Sequence, residues 1–212
     1  MKNVTLIFVI ALIVSLSCKP KVQELQDTAS VPDTAKVRHV FLDVHNLEPG
    51  KVTFDAVAGA HQKDLATQGK YGVSFIKYWV DEAAGKVYCL AESPDSVSLY
   101  NTHKEAHGLV PDLVHQVSSG EEAIMSANPH LFLDIHQLGA GNVTAAAVAD
   151  AHKKDLAVQN KYGVNFINYW VDEKLGVVMC LSESKDAASV INTHKEAHGL
   201  IPSEIHPVKQ GE

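Results

Sequence analysis

The chain has 212 residues, 46% of them hydrophobic, and a formal net charge of −7. That hydrophobic content suits compact domains rather than a disordered chain, and the negative balance argues against a general nucleic-acid or anionic-membrane surface. The sequence contains neither a Gly-rich phosphate loop nor a paired CxxC motif.

The N-terminus begins Met1-Lys2-Asn3 and continues as an apolar run from Val4 to Val14, a charged n-region followed by a short h-region. The run is too short for a comfortable transmembrane helix. It ends Val14-Ser15-Leu16-Ser17-Cys18, small residues before a cysteine, which resembles the lipobox of bacterial lipoproteins, with Ser15 where Leu is usual. Residues 1–17 are therefore expected to be a signal peptide and Cys18 the acylated first residue of the mature chain. Residues 18–37, polar with two prolines and no periodicity, read as a lipidated tether. This places the protein in a bacterial cell envelope, lipid-anchored on the periplasmic or outer-membrane side. The alternative is an ordinary signal peptide cut near the same place.

The remainder is a tandem duplication. Every histidine occurs twice: His39, His45, His61, His103, His107 and His115 recur 91 positions later as His130, His136, His152, His194, His198 and His206. Residues 39–117 align with 130–208 without a gap, about 50 of 79 positions being identical. The domains are thus 38–117 and 130–208, joined by a short linker, 118–129. In the first repeat, His39 to His45 alternates as a strand, with Val40, Leu42 and Val44 on one face and His39, Phe41, Asp43 and His45 on the other. Thr53 caps a helix with the stripe Phe54, Val57, Ala58, His61, Leu65 and Gln68, and Tyr71-Gly72 ends it. Val73–Asp81 and Lys86–Glu92 form a hairpin across residues 82–85. Asp95 opens a second helix running to His107-Gly108, and a last strand covers about Leu113 to Val117. The order βαββαβ is the split βαβ of α+β ferredoxin-like domains, with sheet order 4-1-3-2 and both helices on one face. Val40, Leu42 and Val44 are expected to face the helices. The mixed face carrying His39, Phe41, Asp43 and His45 then needs cover, which predicts that the two repeats pair sheet to sheet as an intrachain α/β barrel lined by these polar faces. The alternative keeps the domains apart, each sheet covered by a second chain.

The topology sorts the histidines. His45, His61, His103 and His107 approach one sheet edge, as do His136, His152, His194 and His198 in the second repeat. His103 and His107 are i,i+4, so both rings can reach one ion. Imidazole suits nickel, zinc and copper. Asp43 and Asp64, with Asp134 and Asp155, are candidate acceptors that orient the ligand rings from behind. The bland readings are that His103 and His107 complement a helix C-terminus and that His61 is a core residue. His39 and His115 form a separate candidate pair, or line the barrel. Cys89 and Cys180 read first as buried free thiols, then as thiolate ligands or an inter-repeat disulfide. Asp81-Glu82 and Asp172-Glu173 are most simply turn carboxylates.

Leu42-Asp43-Val44-His45, Ala60-His61-Gln62-Lys63-Asp64, Tyr78-Trp79-Val80-Asp81-Glu82, Cys89-Leu90 and His103-Lys104-Glu105-Ala106-His107-Gly108, each recurring in the second half, resemble a bacterial family of small nickel-binding proteins of ferredoxin-like fold. Those proteins are typically single domains that dimerise into an α/β barrel. The resemblance implies metal binding, with nickel foremost; this chain departs from the usual member by being fused in tandem, and is expected to be a monomeric pseudo-dimer. The leading functional expectation is a metal-binding envelope lipoprotein. Two alternatives stand beside it. One is a barrel enzyme of oxygenase or isomerase type, using Asp43 with His45 or His39 with His115 as acid–base groups. The other is a non-catalytic interaction module.

Overall fold

The computed structural model describes residues 37–127 and 129–212. The expected signal peptide, Cys18 and nearly all of the tether lie outside the described residues. The first repeat comprises β1 (His39–Asn46), α1 (Phe54–Tyr71), β2 (Ser74–Asp81), β3 (Lys86–Ser93), α2 (Ser96–Ala106) and β4 (Leu113–Ser119). The second comprises β5 (Leu131–Gln137), α3 (Ala145–Tyr162), β6 (Asn165–Asp172), β7 (Val177–Glu183), α4 (Ala187–Ala197) and β8 (Glu204–Gly211). Thr53 and Thr144 cap α1 and α3 by accepting from the backbone N–H three residues on, and Asp95 and Asp186 do the same for α2 and α4. Gly72 and Gly163, at φ 69° and 66°, end α1 and α3 in the left-handed conformation that a side chain would disfavour. Among the described residues no helix is long and apolar enough to cross a membrane.

All eight strands join one closed antiparallel barrel in the order β1-β3-β2-β8-β5-β7-β6-β4. Within each repeat the order is the expected 4-1-3-2. The repeats are not merely stacked but hydrogen-bonded edge to edge. Val80, Trp79 and Tyr78 of β2 pair with Lys209, Gln210 and Gly211 of β8, and Ser118 and Ser119 of β4 pair with Val171 and Trp170 of β6. Closure removes both free sheet edges, the groups that otherwise invite association.

One expectation is reversed. Val40, Leu42 and Val44 face the barrel interior, where Leu42 and Val44 pack with Trp79, Tyr88, Leu90, Leu133, Ile135, Trp170 and Met179 from both repeats. The indole rings of Trp79 and Trp170 meet there with centroids 5.0 Å apart. Phe41 instead packs under the helices with Phe75, Leu99 and Cys89. The physical reason is solvation. The barrel centre is filled by apolar side chains from both repeats, so it takes the uniformly apolar face. The mixed face lies beneath the helices, which carry polar partners for it. The barrel is therefore not lined by the polar faces.

Trp79 is fully buried, and its Nε1–H donates to Gln210 Oε1 at 2.9 Å across the seam. Trp79→Ala should cost about 3–5 kcal/mol, the range for deleting a large buried side chain. Urea unfolding of the two forms checks this, and a loss below about 1 kcal/mol would contradict an indole shared by both repeats.

Candidate metal centres

Asp43 is the residue around which each site is built. It lies on β1 opposite Cys89 of β3, and its side chain is wholly buried under the helices. An unpaired carboxylate there would be severely penalised. α2 delivers the compensation. His103, in its last turn and 1% exposed, reaches Asp43 Oδ2 with Nε2 at 3.2 Å. His103 Nδ1 meets Asp64 Oδ1 of α1 at 3.0 Å. Burial by itself would lower the His103 pKa, but the hydrogen bonds and charges of Asp43 and Asp64 outweigh it and raise it to about 9. For the two carboxylates burial pushes upward, yet His103, with His45 beside Asp43 and His107 beside Asp64, holds both below the usual range.

His107 is the C-cap of α2, beyond the last helical residue, and Gly108 follows at φ 82°. The turn swings His107 back, so that Nε2 lies 3.3 Å from His103 Nδ1 and 3.2 Å from Asp64 Oδ2. Its Nδ1 accepts from Leu109 N–H at 3.1 Å, which leaves the ring proton on Nε2. On the sheet side, His45 Nε2 is 3.1 Å from Asp43 Oδ1, yet Asp43 Oδ1 makes no hydrogen bond, because the pair is close but misaligned. The second repeat reproduces this arrangement. His194 Nδ1 is 3.0 Å from Asp155 Oδ1 and 3.2 Å from His198 Nε2, His136 Nε2 is 3.1 Å from Asp134 Oδ1, and the His194 pKa rises to about 10.

Two compact donor groups result in each repeat: Asp43, His45, Cys89 and His103, all buried, and Asp64, His103 and His107, nearer the surface. Their counterparts are Asp134, His136, Cys180 and His194, and Asp155, His194 and His198. The donor pairs in contact stand 3.0–3.3 Å apart and all donors of each group lie within 4.8 Å of one another, close enough to converge on one ion with bonds of about 2.1 Å. Imidazole, carboxylate and thiolate are donors for a borderline divalent ion such as nickel, zinc or copper rather than for calcium or magnesium. The residues fit such an ion, and the orphaned Asp43 Oδ1 and Asp134 Oδ1 are atoms that one would satisfy.

Of the sequence-derived candidates, His45, His103, His107, Asp43 and Asp64 converge as expected. His61 lines the same pocket, of about 90 Å³, but belongs to neither donor group. Its ring lies 4.7 Å from Tyr78 and its buried Nδ1 has no partner. Burial lowers its pKa more than Asp64 restores it, so it is held neutral. His152 sits likewise beside Tyr169 in a pocket of about 120 Å³. Cys89 and Cys180 are buried free thiols, as the first reading had it, so no disulfide joins the repeats. Sequence reasoning undervalued their place beside Asp43 and Asp134, which the cross-strand register sets.

His39 and His115 do not pair. His39 Nδ1 contacts Gln116, whereas His115 stands opposite Leu42 on the inner face and its Nδ1 meets Asp172 Oδ2 of the other repeat at 2.9 Å. His206 Nδ1 meets Asp81 Oδ2 reciprocally at 3.0 Å. Asp81 and Asp172 do serve their turns, accepting from Ala84 and Leu175 N–H through Oδ1, but the second oxygen of each spans the seam.

A closed ferredoxin-like barrel carrying one imidazole–carboxylate cluster under each helix pair defines an α/β barrel with candidate metal centres outside the barrel. The sequence narrows this further: residues 41–117 and 132–208 each match the family described as nickel responsive protein SCO4226-like, and the chain belongs to that family. It is similar to the solved structure of SCO4226 from Streptomyces coelicolor A3(2), at 35% identity over 42% of this chain and 99% of that one, with a TM-score of 0.35. Other similar structures are a putative monooxygenase from Lactobacillus acidophilus NCFM (6% identity, 82% of this chain and 93% of that one, TM-score 0.47) and a chlorite dismutase from Candidatus Nitrospira defluvii in complex with imidazole (8%, 84% and 91%, TM-score 0.47). No curated protein matches the chain.

The charged His103 binds its proton more tightly folded than unfolded. Its contribution to stability is complete below about pH 6.5 and is lost as pH rises through about 9. Urea midpoints of the metal-free chain should therefore fall from pH 6.5 to 9. Asp64→Asn with Asp155→Asn should flatten that slope, and a wild-type midpoint constant over the range would refute the charged imidazole.

Proposed function

We propose that this protein is a transition-metal-binding lipoprotein of the bacterial cell envelope, with nickel as its foremost ion, which buffers, delivers or senses that metal. The observation that carries the reading is the fully buried Asp43 Oδ1, without a hydrogen bond and 3.1 Å from the His45 imidazole, repeated at Asp134 and His136. Membership of a nickel-responsive family supports the choice of ion. In this reading His45, His103 and His107, with His136, His194 and His198, supply nitrogen, and the buried aspartates and cysteines supply oxygen and sulfur. A bound divalent ion would neutralise the carboxylates that His103 neutralises in its absence. Closure of the barrel within one chain supports a monomer that does alone what a dimer of single domains would do. Of the pairs named for the barrel-enzyme alternative, Asp43 and His45 stand together but outside the barrel, and His39 does not meet His115.

Equilibrium dialysis against Ni(II), Zn(II) and Cu(II), read by elemental analysis, tests the reading. His103→Ala should halve the bound metal, and His103→Ala with His194→Ala should abolish tight binding; both lose stability because Asp43 and Asp134 lose their partners, so dialysis is run where circular dichroism shows each form still folded. Wild-type stoichiometry in the double variant would overturn it. Metal and proton compete for His103, so affinity should keep rising between pH 7 and 9, by about tenfold per unit for each proton displaced.

The anchor rests on the apolar run and Val14–Cys18 alone. Wild-type protein should partition with membranes on detergent extraction, and Cys18→Ala should release or misprocess it. Equal partitioning of both forms would leave only a cleaved signal peptide.

A further inference from the structure

The pocket beside each cluster has a wall that the metal reading leaves unused. Fourteen residues line the pocket of the first repeat, and each has a counterpart of the same type lining the pocket of the second. Nine of the fourteen belong to neither donor group, among them Leu47, Val52, Val57, Val87 and Leu109. Yet only about 50 of 79 aligned positions are identical across the repeats. We propose that each pocket binds a small neutral organic molecule, a compact aliphatic body carrying one hydroxyl group. This goes beyond the metal-binding reading and does not depend on an ion being bound.

Packing alone does not account for so strict a wall. Inside the barrel, equally buried positions differ between the repeats: Val44 is matched by Ile135 and Tyr88 by Met179. Around the pocket, Phe54, which stacks on Tyr78, is replaced by Ala145, and Val110 by Ile201. Leu109 and Leu200, at the pocket mouths, are 51% and 47% exposed and still match, though a half-exposed leucine gains little from packing. The chemistry of the ligand follows from the lining. No lysine or arginine lines either pocket, and both oxygens of Asp64 already meet His103 and His107, so neither an anionic nor a cationic organic group finds a partner. The polar contact left open is His61, 3% exposed, with Nδ1 free of any hydrogen bond. A hydroxyl both donates and accepts, and so satisfies this imidazole in either tautomer. Volume sets the size. An apolar cavity of about 150 Å³ takes benzene, so pockets of about 90 and 120 Å³ hold about five heavy atoms each.

The test titrates the metal-free full chain with 2-methylpropan-1-ol and follows side-chain methyl resonances by nuclear magnetic resonance. The methyls of Val57, Val87 and Leu109, with those of Val148, Val178 and Leu200, should shift together and saturate, half-occupied at roughly 1–10 mM for a ligand of this size. The carboxylate of the same shape, 2-methylpropanoate, should bind about tenfold more weakly or worse, since its charge finds no partner. Ala60→Leu with Ala151→Leu puts a larger side chain into each pocket, alters no donor, and should abolish the saturable shifts. Shifts that grow linearly without saturating, or that persist in that double variant, would overturn the pocket as the site. Equal binding of 2-methylpropanoate would overturn the neutral class. The comparison of alcohol with carboxylate is made on the wild type, so it decides the matter even where the variant fails to fold. Because no ion is present in the titration, failure of metal binding would leave this result standing, and failure here would leave the metal reading standing.

Discussion

A carboxylate with no exposed surface, Asp43, sets the terms for each repeat. It cannot remain there uncompensated, and the last turn of α2 brings His103 within 3.2 Å. His103 in turn needs Asp64, because one carboxylate and burial alone would not keep a ring with both nitrogens engaged in place. The result is a chain of contacts, Asp43–His103–Asp64–His107, that ties the sheet to both helices. Removing any inner member leaves a buried charge without its partner, which is more damaging than losing the pair would be. The same chain makes the site receptive to a cation: the protons that hold it together are the ones a metal replaces.

Barrel closure and the pocket are mechanically joined at the seams. A Cβ on Gly211 would fall 2.2 Å from the Tyr78 ring, and one on Gly120 would fall 2.3 Å from Tyr169. The two bare positions, 91 residues apart, let each tyrosine lie across the neighbouring strand of the other repeat. From there Tyr78 packs on His61 and Tyr169 on His152, inside the pockets. The reciprocal pairs His115–Asp172 and His206–Asp81 brace the same seams. Each centre is lined by its own repeat, and the other repeat only supports the tyrosine at its wall.

Much of this was legible in the sequence because its cues are local. The caps at Thr53 and Asp95, the helix-ending Gly72 and the alternation of His39 to His45 each specify structure within a few residues, and the repeat doubles every cue. The convergence of His45, His103 and His107 followed from topology alone. Which face of β1 turns inward did not, since alternation gives two faces without saying which one meets water, a helix or another sheet. The deciding fact, that Asp43 has partners only on the helix side, appears once α1 and α2 are placed. The turn role of Asp81 and Asp172 holds but is half of their task, for a related reason: a turn explains one oxygen of each, and the partner of the other lies in the opposite repeat.

Fusion has relaxed the symmetry at the seams while leaving it intact at the centres. At the β2–β8 seam Lys209 pairs with Glu82 and Lys86 with Glu204, but the positions equivalent to Lys209 and Glu204 in the first repeat are Ser118 and Leu113. At the β4–β6 seam the linker takes over instead, with Ala123 N–H donating to Ile167 O and Met125 packing on the barrel core. A homodimer must build both seams from identical residues, whereas a tandem chain can build each differently. Exposed ion pairs such as these contribute little stability individually, so their divergence is tolerated. The buried clusters have no such freedom. Asp43, Asp64, His45, Cys89, His103 and His107 each keep their counterpart, and all but the half-buried His107 are shut off from solvent.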